Sequence, residues 1–255
     1  AGAATITRLE GFLGGLPPGV VAGYRALLRS LDLEALLRTR RRFSKLPFGR
    51  RVEVLHAMEN GEATRLLLRG LLAPLKLVHF DDPALFAALG CRYGVDQPAA
   101  RERPRWQEQV LDASTLAEDE HLECDVVVVG TGAGGAPMAR ALAERGHAVL
   151  LLEEGPLFTR HDFTGRATPM MKQMYRQGGA TIAVGNTAIP VPLGVGVGGT
   201  TLINSGTCFR LPPEVLAAWR GAGLQSFTDD ALAPYYAEVE EVLGVGPSPA
   251  AALGA

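Results

Sequence analysis

The fold is decided by residues 125–153, which read DVVVVGTGAGGAPMARALAERGHAVLLLE. The four consecutive valines form a short, apolar, β-branched run, which is typical of a parallel strand buried on both faces. A glycine-rich turn leads from this strand into a run with helical spacing, in which Ala139 and Leu142 are expected to face the sheet. A second apolar strand is expected over residues 148–152, with Glu153 at its carboxyl end. The pattern predicts a βαβ unit.

The turn between the first strand and the helix satisfies G-x-G-x-x-G, and each glycine has a mechanical reason. Gly130 permits the tight turn, Gly132 lets the main chain approach a pyrophosphate, and Gly135 lets the helix pack close to the strand. The helix N-terminus presents unpaired N–H groups and a partial positive charge to phosphates. Glu153 is placed to accept hydrogen bonds from ribose hydroxyls. Together these features predict dinucleotide binding, and a purely structural glycine turn is the alternative.

A second glycine-rich segment covers residues 194–207 and reads GVGVGGTTLINSGT. Its glycines allow the main chain to approach a flat or charged ligand closely. Its threonines supply hydroxyls, and Asn204 offers both a donor and an acceptor. The acidic pair Glu153 and Glu154 disfavours NADP because it would repel a 2′-phosphate. The first motif alone leaves NAD and FAD open, and the second segment alone is equally compatible with a structural loop.

From Cys124 to about Val245 the sequence resembles the glucose–methanol–choline (GMC) oxidoreductases, flavoenzymes that oxidise alcohols. The resemblance is carried by the opening DVVVVGTGAGG, the strand end VLLLEEGP, the loop GVGVGGTTLINSGTCFR and the helix DDALAPYYAEVEEVLGV. The helical region before them is similar to the extension of some bacterial and long-chain-alcohol-oxidase members. The resemblance implies non-covalently bound FAD and the amino-terminal, FAD-binding portion of an oxidoreductase acting on CH–OH groups.

The resemblance also implies roles for individual positions. Ala133 and Gly134 would lie against the FAD pyrophosphate, Glu153 on the adenosine ribose, and Thr200 near the phosphates. Residues 204–207 would line the isoalloxazine. The full set of expected cofactor-binding residues is Gly130, Gly132, Ala133, Gly134, Gly135, Glu153, Gly199, Thr200, Asn204, Ser205, Gly206 and Thr207.

The catalytic base of the family is typically a histidine near the carboxyl terminus, and no histidine follows His161 in this sequence. We therefore assign no catalytic residue. We expect the chain alone to bind flavin weakly and not to turn over its small-molecule alcohol, because a carboxyl-terminal half or a complementary chain is missing. Two alternatives stay open: a non-catalytic flavin-binding subunit completed by another chain, and an NAD-dependent dehydrogenase fragment. The latter gives no role to residues 194–207.

The chain before the βαβ unit has a different character. Residues 1–95 are predicted to form an all-α amino-terminal domain, with helical spacing after Pro18 and again after Gly61. A third helix is bounded by Asp82 as N-cap and by Gly90 just past its end.

Three regions follow from these patterns. The all-α domain is followed by a polar, proline-marked linker over residues 96–122. Residues 123–255 are predicted to form the FAD-binding domain, and the resemblance implies that this domain is incomplete, because the substrate domain of the family has no counterpart here. The predicted fold class is therefore α/β, a partial FAD-binding, Rossmann-like βαβ domain preceded by an all-α domain.

Bulk properties exclude several classes of partner. The net charge of −2 and the pI near 6.3 give no reason to expect nucleic acid. No uncharged apolar run reaches the length of a membrane span, which is about 18 residues or more, and no signal peptide is recognisable. The three cysteines are far apart and have no metal-ligand spacing. An odd number of cysteines favours a reducing compartment, so we expect a cytoplasmic protein without a metal site.

Overall fold

The computed structural model describes residues 2–91, 105–187 and 189–247. The described chain is mostly helical and carries two small sheets. The helices are α1 (Ala3–Leu13), α2 (Pro18–Thr39), α3 (Phe48–Glu59), α4 (Glu62–Phe80), α5 (Pro83–Ala88), α6 (Gly135–Ala143), α7 (Ala167–Met174), α8 (Pro213–Gly221) and α9 (Asp229–Leu243). The strands are β1 (Val126–Val129), β2 (Val149–Leu152), β3 (Ile182–Ala183) and β4 (Ile189–Pro190). Among the described helices, none is both long and apolar enough to cross a membrane.

The predicted amino-terminal helices are confirmed, and their ends follow local chemistry. Pro18 opens α2, where its missing N–H costs nothing because that position has no helical acceptor. One carboxylate oxygen of Asp82 accepts from the N–H groups of Ala84 at 2.9 Å and Leu85 at 3.1 Å. It thereby caps α5, and Gly90 adopts φ +76° just past the end of that helix.

Helix α4 is the centre of the amino-terminal core, because it packs against α1, α2 and α3. Its buried side chains recur at helical spacing and meet apolar side chains from the other three helices. The buried residues of this core are Leu9, Phe12, Tyr24, Leu31, Ala35, Leu46, Val54, Met58, Leu68, Leu71 and Val78. The core is continuous, so helices α1 to α4 form one packed body rather than separate hairpins.

The βαβ unit is present as predicted. Strands β1 and β2 pair in parallel, with Val126 opposite Val149 and Val129 opposite Leu152. Helix α6 forms the crossover and contacts both strands. Ala139 is buried on the sheet side of α6, as its spacing predicts.

One expectation for β1 is wrong: the strand is not buried on both faces. Val127 is 51% exposed and Val129 is 82% exposed. Within the described residues the sheet has only two strands, β1 and β2. Neighbouring exposed apolar side chains of this kind are unusual on the surface of a monomeric protein. The valine run is typical of a buried strand, and these two strands alone do not bury it.

The helical region and the βαβ unit lie in one compact unit that runs to Ile203. The contact between α4 and α7 is built around the carboxylate of Asp81, which is 4% exposed. It accepts from Nε of Arg166 at 2.9 Å and from the hydroxyl of Thr168. The predicted boundaries at residues 95 and 122 stay predictions, and residues 92–104 of the predicted linker lie outside the described residues.

The second compact unit begins at Asn204 and contains α8 and α9. Thr228 caps α9 by accepting from the N–H of Ala231 at 3.1 Å, and Gly244 ends the helix with φ +63°. Arg210 donates to both carboxylate oxygens of Glu240, at 2.7 and 2.6 Å. This bidentate ion pair connects the segment before α8 to α9.

Candidate functional site

The turn after β1 is shaped by two glycines. Gly130 has φ +90°, in the region that favours glycine, and its N–H donates to the carbonyl of Leu152 at 2.7 Å. Gly135 is the first residue of α6, and a Cβ there would overlap the carbonyl oxygen of Gly130 and come within 3.3 Å of Cγ1 of Val128. Helix α6 can therefore start this close to β1 only because position 135 has no side chain.

The other side of the turn is open. Gly134 is the N-cap of α6, and no side chain of the described residues caps that helix. A Cβ on Gly134 would meet nothing within 4 Å, and a Cβ on Gly132 would lie 3.9 Å from the carbonyl oxygen of Gly198. Ala133, between them, is exposed. Main-chain N–H groups at a helix N-terminus carry partial positive charge, so this open side suits an anion.

The carboxylate of Glu153 lies against the same turn. Its Oε2 accepts from both the N–H of Thr131 at 3.0 Å and the hydroxyl of Thr131 at 2.6 Å. Its Oε1 accepts from the N–H of Gly155 at 3.1 Å. The acid at the end of β2 is thus brought to the glycine turn after β1, as the parallel pairing of the two strands requires.

These contacts favour the charged form of Glu153. Desolvation by partial burial raises the pKa of this carboxyl, but the hydrogen bonds from the Thr131 hydroxyl and from the main-chain N–H groups of Thr131, Gly155 and Glu154 outweigh it. The pKa of Glu153 is therefore held below its ordinary value of 4.5. At neutral pH the site carries a negative charge beside the open helix terminus.

The depressed pKa predicts a pH-dependent stability. A carboxylate whose pKa is lower in the folded state stabilises the fold fully above its ordinary value of 4.5, and this contribution is lost as the pH falls through the folded-state value. We expect the difference in unfolding free energy between the wild type and Glu153→Gln to shrink as urea titrations move from neutral pH into this acid range. A difference that stays constant over that range would contradict the expectation.

The second glycine-rich segment packs against the first. The N–H of Gly198 donates to the hydroxyl of Thr131 at 2.9 Å. A Cβ on Gly199 would lie 3.2 Å from Cα of Gly132. The hydroxyl of Thr200 accepts from the N–H of Gly194 at 3.2 Å, which closes the segment on itself. The structure therefore brings together the two glycine-rich stretches that the sequence singles out.

The segment that follows β2 is held equally close. A Cβ on Gly155 would overlap the main chain of Gly196, and a Cβ on Gly194 would overlap the carbonyl oxygen of Gly199. Both glycines are needed because main chain meets main chain. Gly155 and Gly194 lie within the motifs that carry the family resemblance, but neither is among the expected cofactor-binding residues.

The last four expected cofactor-binding residues, Asn204, Ser205, Gly206 and Thr207, lie in the second unit. There the side-chain oxygen of Asn204 accepts from the N–H of Gly206 at 2.7 Å, and Gly206 has φ +70°. The hydroxyl of Ser205 donates to that of Thr207 at 3.3 Å. These residues form a tight local turn, and their expected contacts to the cofactor stay predictions.

Sequence reasoning missed Thr131. Its side chain is buried, at 8% exposed, and its hydroxyl touches both Glu153 and the second glycine segment. The available signal was a hydroxyl-bearing residue at a variable position of G-x-G-x-x-G, directly after Gly130.

Within the described residues, no cluster of His, Cys, Asp or Glu could hold a metal ion.

Comparison with known proteins gives the class. The family model described as GMC oxidoreductase matches residues 171–253, which include the second glycine segment, α8 and α9. An uncharacterized GMC-type oxidoreductase of Mycobacterium tuberculosis is 34% identical over 254 residues, a match that covers 98% of this chain and 39% of that protein. A long-chain-alcohol oxidase of Arabidopsis thaliana is 41% identical over 98 residues, or 38% of this chain and 13% of that protein.

These matches confirm the resemblance predicted from the sequence: the chain is related to the GMC-type oxidoreductases, and its homologues include long-chain-alcohol oxidases. A further GMC-type oxidoreductase, from Sinorhizobium fredii, is 35% identical over 136 residues, which cover 53% of this chain and 27% of that protein. The chain spans 39% of the length of the mycobacterial relatives. No solved structure matches it.

Proposed function

We propose that this chain is the FAD-binding portion of a flavin-dependent oxidoreductase that acts on the CH–OH group of an alcohol. The observation that carries the proposal is the position of Glu153, whose carboxylate is bonded to the glycine turn at the N-terminus of α6. The second glycine segment packs on that same turn through Gly198. The relation to GMC-type oxidoreductases supports FAD rather than NAD. The alternative, an NAD-dependent dehydrogenase fragment, gives the second glycine segment no role.

The described residues fit the two polar parts of FAD. The open main chain at Gly132 and Gly134, at an uncapped helix N-terminus, suits the pyrophosphate. Glu153 is charged and half-buried at the end of β2, where a carboxylate would meet the adenosine ribose. We assign the pyrophosphate to the residues from Gly130 to Gly135, and the region nearer the flavin ring to Gly199, Thr200 and residues 204–207.

Bound FAD would supply the hydride acceptor for oxidation of the alcohol carbon. The residues of this chain bind and orient that group. We propose that the proton acceptor for the alcohol comes from residues outside this sequence, because the relatives are longer. His79 contacts the Thr5 hydroxyl at 3.1 Å within the helical region.

We propose a cytoplasmic location for the protein.

Flavin titration tests the proposal. We expect the protein, produced as its gene encodes it, to show visible flavin absorbance after purification or on addition of FAD, and to show no saturable binding of NAD⁺. Tight NAD⁺ binding without flavin uptake would overturn the assignment to FAD. Failure to bind either nucleotide would overturn dinucleotide binding altogether.

A matched pair of variants tests the ribose position. Glu153→Gln removes the charge that accepts hydrogen bonds, and we expect it to weaken FAD binding by roughly tenfold or more, as for other hydrogen bonds to charged groups. Glu154→Gln changes the adjacent carboxylate, which is exposed and paired with Arg176. We expect less than about a threefold effect there, because exposed ion pairs contribute little. Equal effects of both substitutions on the measured Kd would contradict the role of Glu153.

A further inference from the structure

The hydroxyl of Thr131 joins three separate segments of the chain. It donates to Oε2 of Glu153 at 2.6 Å and accepts from the N–H of Gly198 at 2.9 Å. The N–H of Thr131 donates to the same oxygen of Glu153 at 3.0 Å. The turn after β1, the end of β2 and the second glycine segment therefore meet at one buried side chain.

The chemistry of a hydroxyl explains why this side chain can hold both partners. A threonine hydroxyl has one hydrogen to donate and two lone pairs to accept with. Because its hydrogen points to the carboxylate, its lone pairs face the N–H of Gly198. The bonds run in one direction, from N–H through hydroxyl to carboxylate, and such a chain polarises each member in the same sense. Valine has the same shape but neither function, whereas serine retains both.

Beside this link, the main chains of the two described glycine segments approach each other closely. A Cβ on Gly199 would already be 3.2 Å from Cα of Gly132, so the two glycine segments approach each other main chain to main chain. A Cβ on Gly198, whose φ is +105°, would lie 3.2 Å from the hydroxyl of Thr201. Within the described residues, the hydroxyl of Thr131 thus supplies a side-chain link between the two glycine segments. The main chain adds a separate link after β2, where the N–H of Val197 donates to the carbonyl of Pro156 at 3.0 Å.

We propose that Thr131 is a positioning residue that couples the ribose acid Glu153 to the second glycine segment, so that both parts of the FAD site form together. This inference rests on the proposed function, and it goes beyond it by naming a residue at a variable position of the glycine fingerprint. Loss of the hydroxyl removes one donor from Glu153 and the acceptor for Gly198. The main-chain N–H of Thr131 still bonds to Glu153, so the link that is broken is the one between this acid and the second glycine segment.

The test compares Thr131→Val, Thr131→Ser and Thr5→Val in the protein as its gene encodes it. Thr5 is a matched control because it is also a buried threonine of the same compact unit, with its hydroxyl bonded to His79. We expect Thr131→Val to raise the Kd for FAD by roughly tenfold to a hundredfold, as for loss of a hydrogen bond to a charged group. We expect Thr131→Ser to stay within about threefold of the wild type, because it retains the donor and the acceptor, and Thr5→Val to leave the Kd unchanged.

Hydrogen exchange provides a readout that needs no flavin. In the flavin-free wild type, the amide of Gly198 is expected to exchange slowly because it is bonded to Thr131. It should exchange faster in Thr131→Val and slowly again in Thr131→Ser. If Thr131→Val does not fold, a wild-type Gly198 amide that exchanges at the unprotected rate still overturns the inference.

The possible failures are distinguishable. If the wild type binds no FAD while the Gly198 amide is protected and responds to Thr131→Val, the proposed function fails and the coupling stands. If FAD binds with the same Kd in Thr131→Val and wild type, the coupling is wrong and the proposed function stands. A Kd in Thr131→Ser as weak as in Thr131→Val, or an equal loss in Thr5→Val, also overturns the coupling.

Discussion

Replacement of Gly135 by alanine is expected to destabilise the fold and to remove FAD binding together. The added Cβ would overlap the carbonyl oxygen of Gly130 and approach the carbonyl carbon of that residue to 3.0 Å. Both are main-chain atoms of the turn, so they cannot move aside as the end of a flexible side chain could. We expect a loss of about 3 kcal/mol in unfolding free energy, the upper part of the range for overpacking. FAD affinity should fall by roughly a hundredfold, because several main-chain hydrogen bonds to the ligand are displaced at once.

Two further glycine substitutions serve as controls for Gly135→Ala. Gly23→Ala lies inside α2 with no neighbour of its Cβ within 4 Å, and should leave FAD binding unchanged while stabilising the helix by up to about 1 kcal/mol. Gly132→Ala places its Cβ 3.9 Å from the nearest atom, an ordinary contact. It should leave stability within about 1 kcal/mol of the wild type but weaken FAD binding by roughly tenfold. Urea unfolding and flavin titration measure both quantities, and a Gly135→Ala protein with wild-type stability would contradict the packing argument.

The second large effect is expected at Asp81. Its carboxylate is the shared acceptor for Nε of Arg166 and the hydroxyl of Thr168. Substitution Asp81→Ala removes a buried acceptor, but the side chain of Arg166 is 31% exposed and partly solvated. We therefore expect a loss of roughly 2 kcal/mol, the range for hydrogen bonds to charged groups rather than for a fully buried ion pair. Chemical unfolding should show this loss. Hydrogen exchange on the same variant should show a lower apparent stability for α7 than for α3, because the link between α4 and α7 is lost.

An exposed ion pair of the same region gives the control for Asp81→Ala. Glu53 pairs with Arg50 at 2.6 Å, but both side chains are more than half exposed. We expect Glu53→Ala to leave the unfolding free energy nearly unchanged, since solvent screens such pairs. If Asp81→Ala were as mild as Glu53→Ala, the helical region would not depend on this contact.

The Asp81 contact has a consequence for the organisation of the protein. The sequence predicts a helical domain separated by a linker from the βαβ region, whereas the helical region packs directly on the segment between β2 and the second glycine stretch. Met171 of α7 packs against the core of the amino-terminal helices. A Cβ on Gly178 would overlap the side chain of Leu16. We infer that the helical extension supports the segment that leads into the second glycine stretch.

Part of the site could be predicted from the sequence because its determinants are local. The strand, turn and helix follow from the hydrophobic period, from the positive φ of Gly130 and from the close approach of helix to strand at Gly135. The placement of Glu153 follows from the parallel pairing of two strands joined by one helix. The exposed face of β1 could not be predicted in the same way, because burial depends on which other strands are present.

The amino-acid sequence by itself determined the βαβ unit, the acid at the end of β2 and the relation to GMC-type oxidoreductases. Each of these depends on residues close together in the chain or on motifs that can be matched position by position. Only the tertiary structure decided that Thr131 bonds to both Glu153 and Gly198, and that Asp81 holds Arg166. These partners lie far apart along the chain, and hydrogen bonds over such separations depend on how whole elements pack, which no local pattern of residues records.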